Sequence, residues 1–160
     1  MKQRAYAKIN LSLDICGVRE NGYHDLNSIM LPIDFYDELE ITVSHKDGFR
    51  SNRSFIRFSE ENSIIKMMQI VKERYSISDH HHIVLNKQVP MQAGLGGGTS
   101  DAAAALRILQ AMYHLEMNEE EIRDICMQVG ADVPFNYYSV PAYVSGLGEK
   151  IEQITLKKTN

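Results

Sequence analysis

Pro90-Met91-Gln92-Ala93-Gly94-Leu95-Gly96-Gly97-Gly98-Thr99-Ser100-Asp101-Ala102-Ala103-Ala104 places four glycines in five positions, followed at once by an alanine-rich helical run. Each glycine has more backbone freedom to lose on folding than any other residue. A plain turn needs one or two, so this density points to a backbone that adopts positive φ and comes close to a ligand. The helix that follows presents N–H groups without intrahelical partners, and its macrodipole adds positive potential there. Together they make an anion site. Thr99 and Ser100 add hydroxyl donors, and Ala102 to Ala105 let the helix pack tightly on a sheet. A flexible turn capped by Thr99 or Ser100 is the plainer alternative. A Walker A loop is excluded, because no Gly-Lys-Ser/Thr ends the run. The dinucleotide pattern G-x-G-x-x-G fails as well, since Thr99 stands where its third glycine would be.

Upstream of the loop, Ala7, Ile9, Leu11, Leu13 and Ile15 alternate with polar residues, which predicts a half-buried strand ending at the Asn21-Gly22 turn. Leu39, Ile41 and Val43 predict a second strand. Phe55, Ile56 and Phe58 predict a third, less cleanly, with Asp47-Gly48 as the hairpin turn between them. Ile64, Met68 and Val71 change the period to that of an amphipathic helix over Asn62–Tyr75. Ile83-Val84-Leu85 reads as a short strand, and His80-His81-His82 before it as a solvated loop. As neighbours on a strand these histidines would face opposite sides and make a poor chelate. Downstream, a helix is expected from about Ser100 to His114 and another over Glu119–Val129, started by Asn118 with Glu121 and stopped by Gly130. Tyr143-Val144 and Ile151 return to strand. Strands and helices in this order argue for one α+β domain over residues 1–160.

Hydrophobic residues make up 44% and charged residues 24% of the 160, ordinary for a globular domain. The net charge of −4 argues against a nucleic-acid partner. Cys16 and Cys126 have no metal-ligand spacing and read as buried, reduced thiols of a cytoplasmic protein. No apolar run approaches the ~18 residues of a membrane span, and the first residues lead straight into a strand pattern rather than a signal peptide.

Two further residues acquire interest beside a phosphate site. Lys8, taken alone, is an ordinary strand lysine; Asp132, in Gly130-Ala131-Asp132-Val133-Pro134, is an ordinary turn or cap residue. Phosphoryl transfer to an alcohol needs the donor phosphates fixed, the spreading charge neutralised and the hydroxyl oriented or deprotonated. A glycine loop, a lysine and a carboxylate supply those three functions. Spacing alone does not show that they meet.

Ala7-Lys8-Ile9-Asn10-Leu11, Gly22-Tyr23-His24, Pro90 to Ala103 and Gly130 to Pro134 resemble, in content and order, the motifs of the 4-diphosphocytidyl-2-C-methyl-D-erythritol kinases, a family of the GHMP kinase superfamily. The resemblance runs over essentially the whole chain. It implies a ribosomal-protein-S5-domain-2-like α+β fold, a mixed or antiparallel sheet with helices on one face. It implies ATP-dependent phosphorylation of the substrate's 2-hydroxyl in non-mevalonate isoprenoid synthesis. Lys8 and Asp132 would be catalytic, with Asp132 also touching substrate. Pro90, Met91, Gln92, Ala93, Gly94, Leu95, Gly96, Gly97, Gly98, Thr99 and Ser100 would hold the ATP phosphates, with Asn62 and Lys87 near the nucleotide. Asn10, Tyr23 and His24 would contact the substrate, the last two through its cytosine ring. Mg2+ is implied without evident ligands.

The chain departs from the family in three places. Gln92 stands where glycine or alanine is usual, and Tyr137-Tyr138-Ser139-Val140-Pro141 replaces a segment that commonly contains glycine. The family also has a ferredoxin-like C-terminal half, expected to begin about where these 160 residues stop, at Lys157-Lys158-Thr159-Asn160. The 160-residue piece alone is therefore expected to turn over poorly. Two alternatives remain: a non-catalytic nucleotide- or partner-binding module, with a homodimer through the face left by the missing half, and a stable fragment without function of its own.

Overall fold

Two long strands, β1 (Lys2–Val18) and β2 (His24–Ser44), form the spine of the computed structural model, which describes residues 1–157. The end of the expected domain, 158–160, lies outside the described residues. The remaining elements are β3 (Gly48–Ser51), α1 (Ser63–Arg74), β4 (His80–Asn86), α2 (Gly97–Tyr113), α3 (Glu119–Val129), α4 (Val133–Tyr138), β5 (Ala142–Gly146) and β6 (Lys150–Gln153). One edge of β2 pairs with β1 along its length. The other edge carries β5 opposite Leu26–Met30 and β4 opposite Glu38–Ser44, so two short strands share one side of a long one. Every pairing is antiparallel except β3 with β4. The sheet is therefore mixed, as expected.

Leu39, Ile41, Ile83 and Leu85 point from the sheet into a core shared with Ile64, Met67, Met68 and Val71 of α1, Ala102–Leu106 of α2, and Ile125 and Cys126 of α3. The helix readings hold best where capping and period agree. Asn62 caps α1 by accepting the Ile64 N–H at 2.9 Å, and Asn118 caps α3 by accepting the Glu121 N–H at 2.9 Å.

Several expectations are corrected. Asp47-Gly48 is not a hairpin turn. β1 and β4 already occupy the edges of β2, so β3 passes beyond them and pairs parallel with β4, with α1 as the crossover. Phe55, Ile56 and Phe58 lie in no strand. β3 stops at Ser51 because the next side chain, Asn52, turns to exchange hydrogen bonds with the backbone of Lys87 (2.7 and 3.1 Å). His80–His82 are not a loop but the start of β4. His81 is buried, hydrogen-bonded to the Tyr113 hydroxyl at 2.7 Å, and burial lowers its affinity for a proton. The middle of β2 and the short helix α4 were not anticipated. The apolar residues Met30, Leu31 and Ile33 around Pro32 break the alternation of the one, and the other spans only six residues.

The half-buried reading of β1 is right only for its first half. Ala5 and Ala7 are fully buried, whereas Leu11, Leu13 and Ile15 are 56–68% exposed. Beyond Asn10 β1 is an open edge of the sheet, and past the β5 pairing at Leu26–Met30 the β1–β2 pair runs on alone as a short exposed ribbon.

Cys16 lies on that exposed ribbon, against expectation, and only Cys126 is buried. Burial pushes the Cys126 thiol up to about 12. A disulfide-exchange reagent at pH 8 should therefore modify one thiol per folded chain rapidly and the second only on denaturation. Rapid modification of both in the folded chain would contradict this burial.

Candidate active site

β1 and the glycine loop are tied together at the backbone. The β1–β2 register shifts between Tyr6 and Lys8, and the Lys8 N–H donates to Leu95 O in the loop at 2.9 Å. Gly94 and Gly96 take φ of 74° and 66°, in the left-handed region that glycine enters without strain. α2 then begins at Gly97, three residues earlier than the expected start near Ser100, with Gly96 as its cap. The N–H groups of Gly97, Gly98 and Thr99 have no partner in the protein among the described residues. Ser63, at the start of α1, donates to Gly98 O at 2.7 Å and holds the loop's far side.

The hydroxyls are not free donors, contrary to the sequence reading. Thr99 Oγ1 donates to Gly96 O at 2.9 Å and accepts from the buried Asn136 amide at 2.7 Å. Ser100 is buried and donates to Gly97 O at 2.9 Å. Neither residue caps the helix. The first turn is instead closed by these back-bonds, which leave the N–H groups facing outward.

Lys8 and Asp132 meet. Lys8 Nζ lies 3.3 Å from Asp132 Oδ2, and Lys8 is almost wholly buried while Asp132 is about one-third exposed. Asp132 occupies the N-cap position of α4, yet its side chain makes no cap hydrogen bond. That leaves the carboxylate turned to Lys8 and open to solvent on its other side. Lys8 Nζ also donates to Asn10 Oδ1 at 2.6 Å. The Asn10 amide donates to Ser28 Oγ at 2.7 Å, and Ser28, fully buried, donates to Ser12 O. This chain fixes which end of the Asn10 amide faces the lysine. The glycine loop crowds the same lysine: a Cβ on Gly96 would lie 3.0 Å from Lys8 Cγ.

Beside the loop lies a pocket walled by Phe55, Ile56, Asn62, Leu85 and Met91. Four apolar side chains, one of them aromatic, with the Asn62 amide beside them suit a flat heterocycle. Lys87 borders it too, but its ammonium turns away to Asp37 and Asp101. Pro90, Met91, Gln92 and Ala93 form the exposed entrance of the loop. Gln92 has φ of 57° and Ser139 has φ of 50°. Both positions at which the chain departs from the glycine-bearing motifs are thus left-handed, a strain of about 1–2 kcal/mol each.

Tyr23 and His24 are not brought up to the Lys8–Asp132 pair. They sit, exposed, at the turn of the β1–β2 ribbon, where His24 pairs with Val18. Ten residues of strand separate Val18 from Lys8, roughly 30 Å of contour. Among the described residues no group of three or more His, Cys, Asp or Glu side chains stands together as a metal cage. The sequence did not single out Ser28, Asn136, Asp37 or Asp101. Each is polar and buried, a status that depends on partners distant in the chain.

The chain matches the family described as GHMP kinases N terminal domain over residues 62–140. It is 43% identical over 155 residues to the 4-diphosphocytidyl-2-C-methyl-D-erythritol kinase of Clostridium tetani, covering 96% of this chain and 55% of that protein. It is 39% identical over 160 residues to the enzyme of that name from Thermoanaerobacter pseudethanolicus, covering all of this chain and 55% of that protein. Among solved structures, a 4-(cytidine 5'-diphospho)-2C-methyl-D-erythritol kinase superposes with a TM-score of 0.81 at 32% identity, over 98% of this chain and 56% of the other. The mevalonate kinase of Methanococcus jannaschii shares the fold, with a TM-score of 0.68 at 15% identity, over 97% of this chain and 56% of the other. The chain spans about half the length of the curated relatives it matches. Its family match and its fold are those of the GHMP kinase N-terminal domain, and over nearly its whole length it is similar to the first half of the 4-diphosphocytidyl-2-C-methyl-D-erythritol kinases.

Proposed function

We propose that residues 1–160 form the ATP-binding domain of a cytoplasmic kinase that phosphorylates the 2-hydroxyl of 4-diphosphocytidyl-2-C-methyl-D-erythritol in non-mevalonate isoprenoid synthesis. One observation carries the reading: Lys8 donates its N–H to the glycine loop and its ammonium faces Asp132, so loop, cation and carboxylate belong to one site. The loop N–H groups would hold the ATP phosphates. The neighbouring apolar pocket would take the adenine, with Asn62 at its rim. The substrate hydroxyl oxygen attacks the γ-phosphorus and its proton passes to the Asp132 carboxylate. The bond from the γ-phosphorus to the bridging oxygen breaks, and its electron pair leaves with ADP. Lys8 stabilises charge on the transferring phosphoryl group, and Asn10 steadies Lys8 beside the substrate. Mg2+, when bound, would neutralise phosphate charge. Its ligands would be mainly phosphate oxygens and water, since Ser100 is buried.

Tyr23 and His24 would hold the cytosine with the ribbon's end bent toward Lys8, because the substrate is far shorter than the strand contour between them. The rest of the relatives' length would supply the second wall of the cleft. Among the described residues no helix is long and apolar enough to cross a membrane. The exposed apolar row Leu11, Leu13, Ile15 supports a second reading, a partner-binding module or homodimer built on this fold. Calorimetry on this chain separates the two. Heat of binding with ATP supports the kinase reading, and titrations flat for both ATP and the cytidine substrate would favour the module.

A further inference from the structure

Three charged side chains are buried together behind the glycine loop. Asp37 of β2, Lys87 just past β4 and Asp101 one turn into α2 are each at most 4% exposed. The Lys87 ammonium donates to Asp37 Oδ2 at 2.6 Å and to Asp101 Oδ2 at 2.8 Å. Asp37 Oδ1 accepts the N–H groups of Gln88 and Val89 at 2.5 and 2.8 Å. One carboxylate thus grips the chain as it leaves β4, and the lysine links that grip to the helix that follows the loop. The loop's two ends, 87–89 and 97–101, are joined through side chains. The fit is tight: a Cβ on Gly97 would lie 2.9 Å from Lys87 Nζ and 3.1 Å from Val89 Cγ1.

Stability does not account for this cluster. Burying ions costs several kcal/mol each, and well-packed apolar residues in place of a buried ion pair are often neutral or stabilising. Nor is the cluster laid out as a ligand site, since Lys87 is 4% exposed and two of its three donors go to the aspartates. Burial above all, together with the neighbouring Asp37, drives the Asp101 carboxyl well above its usual range, against the pull of Lys87. Asp101 Oδ1 has no hydrogen-bond partner.

We infer that Asp37, Lys87 and Asp101 are positioning residues: they fix the spacing between the two ends of the phosphate loop, so that its free N–H groups converge on one anion. They act on ATP through the loop and not by touching the nucleotide. The inference rests on the kinase reading above.

The test uses this chain and the double variant Lys87→Met/Asp101→Asn, which removes the link while leaving Asp37 its two backbone donors. Calorimetry gives the Kd for ATP. Hydrogen exchange gives the opening of segment 90–98 against α3 as an internal control. The expected result is a Kd raised at least tenfold, with faster exchange in 90–98 and unchanged exchange in α3. An unchanged Kd in the folded variant overturns the inference. Exchange that rises equally in the loop and α3 also overturns it, because that is a general loss of stability. If the double variant does not fold, Asp101→Asn, of equal size, is measured the same way, with the same pattern expected at several-fold and an unchanged Kd counting against. Should the parent chain bind no ATP, the kinase reading fails, and loop exchange alone then decides the positioning role.

Discussion

Asp132→Asn is expected to slow phosphoryl transfer by ~10²–10⁴-fold, the usual worth of a positioned general base, while ATP binding stays within about twofold. The two side chains are equal in size, so the change removes a proton acceptor and the negative charge facing Lys8, and no packing volume. Asp132 stands at the N-cap of α4 without making a cap hydrogen bond, and Asn is as good a cap residue as Asp. Folding should therefore not suffer. Lys8 keeps its 2.6 Å bond to Asn10 and its backbone link to Leu95, so the loop stays where it is. The loss should appear in kcat, because a base acts in the transition state and contributes little to ground-state binding. Parent and variant are compared by ADP release with the cytidine substrate, both at the full length of the curated relatives. Equal turnover would remove Asp132 from the chemistry and leave it as a partner that merely orders Lys8.

How much of this was legible depended on how local the determining forces are. α3 is set by residues adjacent in sequence, an Asn cap, a 3.6-residue period and a terminal Gly, and it was read to the residue. The glycine loop was legible for the same reason: backbone freedom followed by a helix start is a local property. Lys8 and Asp132 were legible as residue types but not as a pair, because 124 positions separate them and only the β1–loop link and the α4 cap bring them to 3.3 Å. Thr99 and Ser100 were misjudged, since their hydroxyls had equal claims on a ligand and on the helix backbone, and the backbone took both. His81 was misjudged because its burial depends on Tyr113, in another element. Asp37 and Asp101 gave no signal at all. A lone aspartate beside apolar residues is ordinary, and only β2, β4 and α2 packing together show that two of them share one lysine.

Gly148→Ala is expected to cost about 3–5 kcal/mol, through a residue with no chemistry of its own. Gly148 has φ of 113°, a conformation L side chains rarely adopt, worth about 1–3 kcal/mol of strain. A Cβ there would also collide with Ala131 O, closer than real Cβ atoms come, and overpacking adds typically 1–3 kcal/mol. For a domain of this size the sum lowers the melting midpoint by about 10 °C, read by circular dichroism. Gly146 in the same turn is the control. It too has positive φ, but its Cβ would meet only the Glu149 carboxylate, a flexible group that can swing aside at the cost of its bond to the Leu147 N–H. Gly146→Ala should therefore cost about half as much. The difference matters because Ala131 immediately precedes Asp132. The turn between β5 and β6 braces the backbone that aims the carboxylate, so pushing Ala131 aside should lengthen the Lys8–Asp132 contact as well as destabilise the fold. Equal midpoints for the two glycine variants would mean that backbone strain alone sets the cost, and that the turn does not support the site.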